Sequence, residues 1–179
     1  MENNPITVMY DEHALISTGE QVIKKIENLW ETNTDKYKEI VTDLIFFFRN
    51  FADGVHHRKE EEVLFPAIKN HPDFVLQEII GELELHHEDF REYATEIEEA
   101  IANGDYNKSH LKLQKYVSEL LDHIAAENEE LFVLAENLLD EEQLETIYFK
   151  FKDIDMEVGE KNKEEMKEHL QKWIRLLTE

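Results

Sequence analysis

The chain contains no cysteine. That absence removes disulfides, iron–sulfur clusters, thiolate zinc sites and cysteine nucleophiles together. Glycine and proline are scarce, at five and three among 179 residues. So few turn signals favour long helices over a many-turned sheet. No apolar run approaches membrane-spanning length. The start, Met1-Glu2-Asn3-Asn4-Pro5, lacks the basic and apolar regions of a signal peptide. A cytoplasmic protein without a membrane role is therefore expected. Positive charge is also short, with Lys plus Arg at 19 against 42 for Asp plus Glu, a formal charge of -23. Such a surface repels nucleic acid and anionic lipid and attracts cations. Most of it is the solvated side of helices and does not by itself signal a metal.

What is present fits an all-α protein. Hydrophobic residues make up 41%, enough for a core, and the commonest residues are good helix formers. Turn signals fall at Asn33-Thr34-Asp35, Asn70-His71-Pro72-Asp73, Asn103-Gly104-Asp105 and Asp140, with a weaker break at Val158-Gly159. Pro72 suits a first helical position, Gly104 a helix end, and Asp140-Glu141-Glu142-Gln143 a capping box. The segments between them run roughly 8–32, 35–70, 73–102, 106–138, 141–156 and 161–178. Short connections between long helices make neighbours antiparallel, which predicts an up-down-up-down four-helix bundle over residues 1–138. Residues 139–179 form a C-terminal helical extension packed on it. Pro66 should kink or weaken the last turn of the second helix. Met166, Leu170, Trp173, Ile174 and Leu177 form an apolar stripe, which packs on its own bundle or serves a homodimer or partner. Phe46, Phe47 and Phe48 are expected in the core.

Nine histidines are present. His71, His110 and His169 read as surface or cap residues. The others fall one cluster to each helix: His13, His56 with His57, His86 with His87, and His123. His13 lies 20 residues before Asn33 and His56 lies 23 after it; His56 lies 15 before His71 and His87 lies 16 after it; His87 lies 17 before Gly104 and His123 lies 19 after it. In antiparallel helices, equal distance from a shared turn means equal height. The mismatches amount to about 1.5–4.5 Å at a rise of 1.5 Å per residue, so the four clusters share one layer.

His56 and His123 each carry a glutamate four residues later, Glu60 and Glu127, on the same helix face. Chance alone gives roughly two such pairs in so acidic a chain. Context makes these two notable: His56-x3-Glu60-x3-Leu64-Phe65 matches His123-x3-Glu127-x3-Leu131-Phe132. A lone histidine is usually an ordinary core or boundary residue. A buried layer of histidines and glutamates, however, is costly without hydrogen bonds or a cation. Imidazole with carboxylate suits iron, manganese or zinc. Six such ligands exceed the four of one structural zinc and leave open positions on two octahedral ions. With +4 from two divalent ions against -2 from the glutamates, a bridging oxo or hydroxo group is favoured.

Glu12-His13, His56-x3-Glu60-Glu61-Glu62-Val63-Leu64-Phe65-Pro66, His87-Glu88-Asp89-Phe90-Arg91 and His123-Ile124-x2-Glu127 together resemble the hemerythrin-like, or HHE cation-binding, family over about residues 8–138. The resemblance implies a four-helix bundle around two non-haem iron ions. The implied ligands are His13, His56, Glu60, His87, His123 and Glu127, with Glu60 and Glu127 bridging. It implies a small ligand such as oxygen, nitric oxide or peroxide. Two positions depart from the oxygen carriers of the family. Arg91 stands where they have a second third-helix histidine, and Asn128 stands where they have an aspartate. The set of four histidines and two glutamates resembles the divergent branch associated with sensing, nitric oxide response and peroxide handling.

Register is open at two places. His57 with Glu61 has the same spacing as His56 with Glu60, and His86 competes with His87. His57 or Glu61 could complete a coordination shell. Other readings are a ferritin-like iron oxidase or store, for which Glu84-x2-His87 is the one clear motif copy, a partner-binding module that a metal merely staples, and a two-metal hydrolase.

Overall fold

In the computed structural model residues 3–178 are described, and every regular element among them is helical. α1 (Pro5–Ser17) starts earlier than its apolar pattern suggests, because Asn4 caps it. The Asn4 side chain accepts from the Ile6 N–H at 2.8 Å, and Pro5 sits where a missing N–H costs nothing. The first rod is broken rather than continuous. α2 (Gly19–Lys25) follows at Thr18, and Asn28, left-handed at φ 60, separates it from α3 (Leu29–Thr32). Gly19 lets this rod close on the second, since a Cβ there would come within 2.9 Å of Phe48 Cζ.

The second rod begins as α4 (Thr34–Phe47), capped by Asn33 through the Lys36 N–H. It then widens into π-helix over Phe48–His57 and Glu60–Leu64 before α5 (Phe65–Lys69). Pro66 occupies the first turn of α5. Proline donates no N–H and its ring presses on the carbonyl four residues back, so the turn before it opens and the Phe65 N–H reaches the Glu60 carbonyl. α6 (Gln77–Ala102) starts four residues later than expected from Pro72, which lies in the 70–76 connection. That connection inserts Phe74, 7% exposed, into the core. Asn103-Gly104-Asp105 ends α6 as expected. Gly104, at φ 73, and Asp105 return their N–H groups to Ile101 and Ala100 at 3.1 and 2.9 Å. Asp105 then caps α7 (Tyr106–Ala126), and this fourth rod repeats the device of the second, with π-helix over Glu127–Leu131 before α8 (Phe132–Leu138).

Two C-terminal helices complete the chain. α9 (Glu141–Val158) starts with the expected capping box of Asp140 and Gln143, and α10 (Glu160–Thr178) follows Gly159. α10 lies along α4, and its Leu170 and Trp173 are buried in the same apolar cluster as Phe47, Phe48 and Phe51. Burial of a leucine of this kind contributes about 2–3 kcal/mol. Phe47 and Phe48 are core residues. Phe46 is not; it is 38% exposed and packs its ring on His169 at 4.1 Å. A second apolar cluster holds Leu64, Phe65 and Phe132 with Leu144, Ile147 and Phe151 of α9. The histidine layer lies between these two clusters.

Candidate metal centre

The four rods bring His13, His56, Glu60, His87, His123 and Glu127 into one buried layer, each no more than 2% exposed. His57, left open by sequence spacing, joins them. In an α-helix adjacent residues point well apart. The wider π turn over Phe48–His57 reduces that angle, so His56 and His57 both face inward. The donors fall into two groups, His13, His56, Glu60 and Glu127, and His57, Glu60, His87 and His123. Within each group one ligand atom from every residue lies within 4.8 Å of the others. The rings are close: His13 to His56 at 4.5 Å, His57 stacked on His87 at 3.7 Å, and His87 to His123 at 4.9 Å.

Each glutamate divides its two oxygens between the groups. Glu60 Oε1 lies 3.4 Å from His56 Nε2, and its Oε2 lies 3.5 Å from His87 Nε2. Glu127 Oε2 lies 3.2 Å from His13 Nε2, and its Oε1 lies 3.3 Å from His123 Nε2. These approaches lack hydrogen-bond geometry. Nε2 of His13 and His56 and all four carboxylate oxygens are buried without a hydrogen-bond partner. An unsatisfied buried polar atom costs about 1–3 kcal/mol. Six of them converging on one small volume fit a cation.

The other ring nitrogen of each histidine is anchored outward. Nδ1 of His13 meets Asn128 Oδ1 at 2.7 Å, Nδ1 of His56 meets Glu12 at 3.1 Å, and Nδ1 of His57 meets Asp53 at 3.1 Å. Nδ1 of His87 meets Glu61 at 2.8 Å, and Nδ1 of His123 meets His86 Nδ1 at 3.3 Å. Partners of this kind fix the ring and aim Nε2 at a metal. The competing residues therefore divide by position: Glu61 and His86 meet the outer nitrogens of His87 and His123 and do not point into the layer. Asn128 does the same for His13.

Electrostatics suit ligation. Burial, with the neighbouring rings, lowers His57 and His87 to about 4, which leaves both imidazoles neutral. Burial opposes the charged form of Glu127, but His123 and His13 outweigh it and hold the carboxyl well below its usual range. His56 is different. Burial again opposes charge, yet Glu60 and Glu12 raise it to about 10. A divalent ion would take the place of that proton.

Of the three histidines read as surface or cap residues, His71 caps a turn, receiving the Asp73 N–H. His110 is a correction. It is 3% exposed, packed against Trp30 and Tyr37, with neither ring nitrogen hydrogen-bonded. The Asn28 break folds Trp30 over it, a tertiary event with no local signal. His169 is also corrected, being part-buried and bonded to Asp43 at 2.6 Å. Asp53 and Lys59 were not singled out by sequence. Asp53, four residues before His57, could have been found by the spacing that marked Glu60.

A model of the Hemerythrin HHE cation binding domain matches residues 4–135. The chain belongs to the hemerythrin HHE family. The match spans all four rods of this hemerythrin-domain protein and stops before α9 and α10. Neither the curated proteins nor the solved structures compared with it give a match. The family is a cation-binding one, and the clustered histidines and glutamates of the layer could hold a metal ion. No helix among the described residues is long and apolar enough to cross a membrane.

Proposed function

We propose that this chain holds two non-haem iron ions and binds or senses a small oxidant such as oxygen, nitric oxide or peroxide. The observation that carries the reading is the division of both glutamates, one oxygen toward each histidine group. A single ion has no use for two carboxylates spread in this way. His13 and His56 would hold one ion, and His57, His87 and His123 the other, with Glu60 and Glu127 shared. His57 then supplies the third nitrogen on the side where Arg91 cannot ligate. Two iron ions supply one-electron redox chemistry next to open coordination positions. The chain itself supplies aromatic walls, with Phe65, Phe90 and Phe132 packed on His87, His123 and His13, and the fixed ring orientations.

A cavity of about 380 Å³ lined by His86, Phe90, Tyr93 and Asp122 reaches His123, giving a small ligand room beside the three-histidine side. A ferritin-like store fits less well. Glu84, the glutamate of the one clear Glu-x2-His motif, bonds Lys69 at 2.5 Å, and five of the seven donors are imidazoles.

Elemental analysis of untagged protein purified without added metal tests this. About two iron atoms per chain are expected, followed by changes in visible absorption on titration with oxygen, nitric oxide and peroxide. One zinc per chain, or no metal retained after anaerobic iron loading, would overturn it.

A further inference from the structure

Lys59 has no solvent exposure, and lysine is almost never fully buried without a paired charge. Its Nζ lies 2.6 Å from Glu12 Oε1 and 2.9 Å from Asp155 Oδ1. Glu12 gives its other oxygen to His56 Nδ1 at 3.1 Å. Asp155 belongs to α9, and its Oδ1 also accepts from Lys163 of α10 at 2.5 Å. Lys163 Nζ closes the circuit at 3.4 Å from Glu12 Oε1. Two carboxylates and two ammonium groups thus alternate in a mostly buried ring, and His56 hangs from one corner of it. Two corners come from the bundle. The other two come from helices that lie beyond residue 135, where the HHE match ends, so the connection belongs to this chain's own extension.

We propose that the C-terminal helices regulate the metal centre, through Asp155, Lys59 and Glu12, by setting how firmly His56 holds its ion. The proposal rests on the two-metal reading above. Glu12, Lys59 and Asp155 are positioning residues. Without Asp155, Lys59 keeps one buried counter-charge, Glu12, and Glu12 ceases to be a fixed acceptor for His56. Changes to such outer partners typically cost 10–100-fold in metal affinity. The effect is one-sided. His57 and His87 are oriented by Asp53 and Glu61, which are tied to Arg91 and not to the extension. Linkage makes the coupling reciprocal: whatever the docked helices add to metal affinity, the metal adds to their docking.

The test compares wild type, Asp155→Asn and Glu157→Gln after anaerobic loading with ferrous iron. Glu157→Gln breaks an exposed contact between α9 and Arg58 and leaves the ring intact. Ions retained are counted by elemental analysis along a chelator titration. Hydrogen exchange across 141–178 is followed with and without iron. Expected for Asp155→Asn is release of one of the two ions at roughly tenfold lower chelator, with the second held as in wild type. Glu157→Gln should follow wild type. Iron should slow exchange in the extension of wild type and not of Asp155→Asn. Should Asp155→Asn fail to fold by circular dichroism, Lys163→Met replaces it and must release one ion early. Equal weakening of both ions, unshifted release, or exchange in the extension indifferent to iron overturns the coupling. A wild-type chain that retains no iron overturns the two-metal reading and the coupling with it. Two retained ions with an unshifted variant overturn the coupling alone.

Discussion

Arg91 Nη2 donates to Glu61 Oε1 at 2.7 Å, and the same oxygen faces His87 Nδ1 at 2.8 Å. The guanidinium also holds Asp53, with Nε 3.0 Å from each of its oxygens, and Asp53 anchors His57. One arginine therefore steadies the supports of two stacked histidines. Arg91→Ala should weaken retention of the three-histidine ion by about 10–100-fold while the other ion stays. Chelator titration with metal counting reads this. Arg91→Lys should rescue little, because a single ammonium cannot reproduce the fork. Undiminished retention in Arg91→Ala would remove the arginine from the support of the site.

His57 and His86 make opposite predictions although both were open in sequence. His57 faces Glu60, His87 and His123, so His57→Ala should cost an ion, read as a fall from about two iron atoms per chain toward one. His86 meets the outer nitrogen of His123 and belongs to neither donor group among the described residues. His86→Ala should leave the stoichiometry unchanged and loosen binding by about tenfold. Full iron content in His57→Ala would return the ligand set to four histidines.

His110 lies away from both donor groups, so His110→Leu should leave metal content untouched. Its stability effect has a defined sign. Burial lowers its pKa below the ordinary 6.5, and Glu27 pulls weakly the other way. The unfolded chain then binds more protons between the lowered value and 6.5, and stability falls as pH drops through that window. Removing two unpaired buried nitrogens should leave stability unchanged or raise it by about 1 kcal/mol at neutral pH. It should also flatten the profile below 6.5. Urea unfolding at a series of pH values checks both, and a steeper acid limb in His110→Leu would contradict the assignment.

The helices and the shared layer were legible because caps and periodicity act locally. Asn33, Gly104 and Asp140 mark ends by hydrogen bonds to residues three or four away, and counting from those ends placed the histidines. What was not legible depends on packing. His57 turns inward only because the helix widens to π, and a count based on 3.6 residues per turn forces a choice between neighbours. His110 is buried by Trp30 arriving from a broken first rod. Asp155 meets Lys59, and Lys163 meets Glu12, between residues far apart in the chain, beyond any spacing rule.

Asp43 joins α4 to α10 without touching the metal layer. It accepts from Trp173 Nε1 at 2.7 Å and His169 Nδ1 at 2.6 Å, and it pairs with Lys172 at 2.7 Å. Burial raises its pKa, but these three partners outweigh burial and hold it below 3.8. For a depressed carboxyl the contribution to stability is full above the unfolded value and is lost as pH falls through the folded one. Docking of α10 should therefore hold down to about pH 4 and weaken below it. Asp43→Ala leaves the indole N–H, on a side chain 1% exposed, without an acceptor. It should cost about 2–3 kcal/mol and speed hydrogen exchange over 160–178. Without chelator the iron content should stay at the wild-type level, but the ion on His56 should leave earlier in a chelator titration, because Lys163 of α10 is a corner of the ring that holds Glu12. Unshifted release in Asp43→Ala would mean that Lys163 keeps its place in the ring while the rest of α10 loosens.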